Sequence, residues 1–73
     1  MDMQTWRDAR ARAVDASDGL QTALAAVGVP ESARSTVRPV VTHKGVPYVH
    51  VGMVRAEVAE QIAEAMNTSV RLR

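Results

Sequence analysis

Between Val37 and Val51 two runs of mostly β-branched residues flank one short turn, and this stretch limits the fold more than any other. The first run is Val37-Arg38-Pro39-Val40-Val41-Thr42. The turn is His43-Lys44-Gly45, and the second run is Val46-Pro47-Tyr48-Val49-His50-Val51. Such a pattern predicts a β-hairpin. With Gly45 in the left-handed position of a three-residue turn, Thr42 faces Val46. The pairs are then 41 with 47, 40 with 48, 39 with 49, and 37 with 51. One face becomes Val37, Pro39, Val41, Pro47, Val49 and Val51. The other becomes Arg38, Val40, Thr42, Val46, Tyr48 and His50. The first is apolar, so Val41 and Val49 are expected inside; the second is mixed, so Tyr48 is expected partly outside. A two-residue turn would scramble both faces. The three-residue turn also keeps Pro39 and Pro47, which have no N–H, out of the hydrogen-bonded pairs.

Helical spacing flanks the hairpin on both sides. From Gln4 to Val27, steps of three and four pick out Met3, Trp6, Arg10, Ala13, Ser17, Leu20, Leu24 and Val27. Asp2 is the candidate N-cap, and Gly28 with Pro30 marks the stop. Asp18-Gly19 is a soft point in what reads as one helix. Pro30 to Thr36 reads as a polar loop. After Gly52, residues Val54 to Met66 form a second helix with Val54, Val58, Ile62, Ala65 and Met66 on its buried stripe. Arg55, Glu57, Glu60, Gln61 and Glu64 face water, and Asn67 ends the helix. Ser69 to Arg73 alternates and predicts a short third strand. The expectation is therefore an α+β fold in the order αββαβ, with a small antiparallel sheet packed by two helices. Residues 1–73 form a single small domain whose N-terminal helix projects.

The projection follows from lengths. A helix over residues 4–27 spans about 36 Å at 1.5 Å per residue. Six-residue strands span roughly 20 Å. The helix overhangs the sheet by about three turns, at its N-terminal half, where Met3, Trp6, Ala9 and Ala13 become the candidate partner-binding residues. Trp6 is the natural anchor, because Trp is enriched where binding energy concentrates.

A chain of 73 residues is near the lower size limit for a self-sufficient core. The apolar residues are also small: twelve Ala and twelve Val against three Leu, one Ile and no Phe. Stabilisation scales with the apolar area buried. Without cysteine, neither disulfides nor thiolate metal sites can add to it. A second subunit or a protein partner is the remaining support. The formal charge of +1 is not that of a strong nucleic-acid binder. The N-terminus shows no signal-peptide pattern, and no stretch approaches the ~20 apolar residues of a membrane span. A cytoplasmic protein is expected. Arg in place of Lys, with much Ala and Val, matches a GC-rich bacterial coding bias.

The chemistry-bearing residues do not assemble into a catalytic motif. His43 falls in the turn and His50 on a strand, too far apart to share a metal. No Asp or Glu lies between residues 32 and 56 to orient either one. Glu57, Glu60 and Glu64 share a helix flank that reads as a solvated face. No cofactor and no metal ligand set is expected. The basic residues suggest more: Arg38, Tyr48 and His50 share the mixed sheet face, with Lys44 in the turn. A basic face bearing an aromatic ring can hold phosphates and stack a base. Thr42-His43-Lys44-Gly45 and the helix after it resemble the basic hairpin of HicA-type toxins, which are small ribonucleases. That resemblance would imply a catalytic His after Gly-Ser. Neither His43 nor His50 follows Gly-Ser, so the activity is not carried over. The expected function is a small non-enzymatic interaction or regulatory module acting as a homo-oligomer or with a protein partner. The alternative is a nucleic-acid-binding module using the Arg38, Tyr48, His50 and Lys44 face.

Overall fold

The computed structural model describes residues 2–71. It is a small α+β fold of three helices and one two-stranded antiparallel sheet. The order is α1 (Met3–Ala26), α2 (Glu31–Arg34), β1 (Arg38–Val41), β2 (Pro47–His50) and α3 (Ala56–Arg71). The expected αββαβ order is thus replaced by ααββα among the described residues. Two differences account for it. Pro30 opens a single helical turn where a loop was expected. Pro30 is its N-cap, its C=O accepting from the Ala33 and Arg34 N–H groups, and Glu31 and Arg34 suit the two ends of the dipole. The other difference is at the C-terminus. Ser69, Val70 and Arg71 continue α3 instead of forming a third strand; Leu72 and Arg73 lie outside the described residues. An Asn stop needs a left-handed backbone. No described residue other than glycine adopts one, so Asn67 does not end the helix.

α1 is one unbroken helix of 24 residues, and Asp18-Gly19 does not interrupt it. Asp2 caps it: the Thr5 N–H donates to Asp2 Oδ1 at 2.7 Å. That hydrogen bond holds the Asp2 carboxyl below its ordinary value of 3.8. The C-terminus closes in a Schellman motif. Val29 N–H donates to Leu24 C=O and Gly28 N–H to Ala25 C=O, both at 3.0 Å. Gly28 takes the left-handed position at φ 88°. The same turn brings Val29 onto Leu24, and both belong to the core.

The hairpin forms in the expected register. Arg38 pairs with His50, Pro39 with Val49, Val40 with Tyr48, and Val41 with Pro47. Gly45 stands at φ 83°. Its N–H donates to Thr42 C=O at 2.9 Å, and Thr42 N–H donates to Val46 C=O at 3.1 Å. Pro39, Val41, Pro47 and Val49 are half-buried, whereas Arg38, Val40, Tyr48 and His50 are exposed. The base of the hairpin is fixed from two sides. Gln21 Nε2 donates to Val37 C=O at 2.8 Å. The Thr36 hydroxyl reaches Val51 C=O at 2.9 Å and Ala33 C=O at 3.0 Å, and it can donate to one of them at a time.

Leu24, Val29, Val37 and Val58 form the core, with Leu20, Ala33, Val49, Val54 and Ile62 packed against it. The hairpin lies along α1, on the side of Ala9, Ala13 and Ser17. Those three are 7%, 1% and 1% exposed. Their small side chains let a sheet approach the helix closely. α3 is held more thinly. Its backbone comes close to the other elements at few points. It is joined through Val58 and Ile62 and through Gln61, whose Nε2 donates to Val27 C=O.

Candidate functional site

The four partner-binding residues expected on α1 divide into two pairs. Ala9 and Ala13 are buried within the chain, while Met3 is 64% and Trp6 41% exposed. The physical reason is where the hairpin starts. The Gln21–Val37 hydrogen bond sets the base of β1 opposite Gln21, not opposite the end of the helix. The last turn of α1 and the segment through α2 occupy the space beyond. About 17 Å of strand measured from Gln21 then covers α1 back to the region of Ala9. The uncovered part is the first turn and a half, which carries Met3 and Trp6.

The outer face of the hairpin is the larger open surface. Thr42 and Val46 form a hydrogen-bonded pair, so Val40 with Tyr48 and Arg38 with His50 are hydrogen-bonded pairs as well. Their Cα atoms stand about 5.5 Å apart. Val40 is 37%, Val46 43% and Tyr48 56% exposed. The face is an apolar centre with Arg38 and His50 at one end and His43 and Lys44 at the turn. No described residue of another element covers it, since Arg38, Val40, Val46, Tyr48 and His50 are all exposed. Across residues 32–56 every charged side chain is basic. Arg34 is committed, donating from Nε to Val29 C=O at 3.1 Å. Arg55 stands 3.5 Å from Glu57 in an exposed ion pair, worth little. Arg38 and Lys44 remain for a partner.

The edges of the sheet are less open than the face. Residues 39, 41, 47 and 49 turn their peptide groups away from the partner strand. Pro39 on β1 and Pro47 on β2 place no donor there, which leaves one outward N–H on each strand. Such edges resist the addition of a further strand.

His43 and His50 are separated by roughly four strand residues, about 13 Å. Among the described residues no group of three His, Cys, Asp or Glu could hold a metal ion. No described helix is long and apolar enough to cross a membrane. Glu57, Glu60 and Glu64 are exposed on α3, as their spacing implied. One feature was missed in the sequence: α3 carries a second apolar stripe. Ala59, Ala63, Met66 and Val70 repeat at steps of four, three and four, and all are exposed. Met66 was assigned to the buried stripe, yet it is 65% exposed, and Val70 is 71% exposed. At 100° per residue this stripe lies beside the core-facing one, on the flank opposite Glu57. Comparison with protein-family models, with curated proteins and with solved structures gave no match. The resemblance of Thr42-His43-Lys44-Gly45 and the helix after it to HicA-type toxins has no support from these comparisons.

Proposed function

We propose that this chain is a small non-enzymatic interaction module that acts as a homo-oligomer or with a protein partner. The observation that carries the reading is the bare outer face of the hairpin. A half-apolar sheet of two strands is backed on one side only, in a domain whose core holds four buried aliphatic side chains. Met3 and Trp6 at the start of α1 add apolar surface. Sedimentation velocity over a hundredfold range of concentration, with thermal melts at each, tests it. A module that self-associates gains mass and melts higher as concentration rises. If mass and melting temperature stay constant, a protein partner is the form left to the reading. It is then tested by exposing the surface to labelling: Tyr48 and Trp6 shielded in cells but open in the purified chain supports it, and both open in cells overturns it.

The second reading, a nucleic-acid-binding module, is favoured by the register. It sets Arg38 opposite His50 with Tyr48 beside them, all exposed. Arg38→Ala and Tyr48→Ala would each weaken the retardation of single-stranded RNA or DNA, and retardation would fall steeply with salt. No retardation at low salt removes this reading.

A further inference from the structure

We infer that the outer face of the hairpin is covered by α3 of a second copy of this chain, each copy giving its α3 to the sheet of the other. The inference rests on the interaction-module reading above and names the partner of the same surface.

Three observations converge. The sheet face has an apolar centre, Val40, Val46 and Tyr48, with Arg38 and Lys44 at its two ends. A helix is a common cover for such a face, since a sheet buries its apolar side against a packed layer. α3 supplies a fitting one, because its stripe of Ala59, Ala63, Met66 and Val70 lies beside the core-facing one and is exposed. The charges match as well. At 100° per residue Glu60 stands about 60° round the helix from Ala63 and borders the stripe on its side away from the core, with Glu64 further round towards Glu57, and neither is in an ion pair among the described residues. The sheet face carries only basic groups, and the border of the α3 stripe away from the core carries the Glu60 carboxylate. Opposite potentials of this kind favour encounter and fix register. Both surfaces lie on one chain and neither has a partner within it. A two-fold arrangement satisfies both at once, and two-fold dimers are the commonest closed assembly. Strand addition is the competing route to a dimer, and the prolines on both edges oppose it.

The test uses the full chain and two charge-reversed variants. The first carries Arg38→Glu and Lys44→Glu; the second carries Glu60→Lys and Glu64→Lys. All four positions are exposed, so both variants keep the fold, which circular dichroism verifies. Sedimentation is expected to give a wild-type dimer and to weaken it by about tenfold in each variant alone. An equimolar mixture of the two is expected to recover wild-type affinity, because each reversed face then meets a reversed α3. A dimer that both variants leave unchanged overturns the inference and leaves the interaction-module reading standing. A chain that is monomeric at every concentration overturns the inference together with self-association. If wild type stays monomeric but retards single-stranded RNA, and the first variant loses that retardation, the face belongs to nucleic acid and the inference falls.

Discussion

Val37→Asp leaves no folded population at 25 °C. Val37 is 3% exposed and sits in the four-residue core. Its neighbours there are aliphatic, and none offers a donor to a carboxylate. An unpaired buried charge costs several kcal/mol. A chain of 73 residues has in all about 4–11 kcal/mol of stability at ~0.05–0.15 kcal/mol per residue, and a core of four aliphatic side chains places this one at the low end, so one such substitution removes all of it. Tyr48→Asp is the control. Tyr48 is 56% exposed on the opposite face of the same sheet, and its replacement leaves the fold in place with a change of about 1 kcal/mol or less. Far-ultraviolet circular dichroism and a urea titration distinguish the two. A folded Val37→Asp beside an unfolded Tyr48→Asp would mean that the sheet faces are assigned the wrong way round.

The second large effect is expected at the helix–sheet contact. Ala13 is 1% exposed, with Ala9 one turn before it and Ser17 one turn after. The hairpin rests on these short side chains. Ala13→Leu adds three carbons where there is no room, and overpacking of this kind costs typically about 1–3 kcal/mol. In a domain of this size the upper part of that range lowers the melting temperature by roughly 10–20 °C. Ala16→Leu, on the exposed side of the same helix, is expected to be near neutral. A melting curve for each variant checks the pair. If Ala13→Leu melts like the wild type, the sheet does not lie on this face.

The hairpin was legible in the sequence because several independent signals agreed on one register. The alternation, Gly45 and the two prolines each exclude the slipped pairings. The mixed face of Arg38, Tyr48 and His50 followed from parity alone. The packing face of α1 was not legible in the same way. Large side chains such as Trp6 draw a stripe through the helix, but here the contact is set by Ala9, Ala13 and Ser17, whose value lies in being small. The spacing of three and four picked out Ala13 and Ser17, which are buried, but it ran through Trp6 and Arg10, which are exposed, and passed over Ala9, which is buried. The helical turn at Glu31–Arg34 is too short to show a period. At the C-terminus the alternation of Ser69 to Arg73 suggests a strand, but no glycine or proline follows Asn67 to stop α3, and the helix runs on through Ser69, Val70 and Arg71. The outward stripe on α3 was hidden by its neighbour, because Ala65 and Met66 are adjacent and only one of them turns inward.

The slender attachment of α3 decides how the molecule opens. α1 and the hairpin share an extended contact, whereas α3 is retained by two aliphatic side chains and one amide hydrogen bond, Gln61 to Val27. Regions with few buried contacts open at lower free energy than the whole. Amide protons along α3 therefore exchange with solvent through an excursion that leaves the helix–hairpin pair intact. During that excursion Leu24, Val29 and Val37 lose their roof, and the chain briefly shows solvent the apolar surface it otherwise hides.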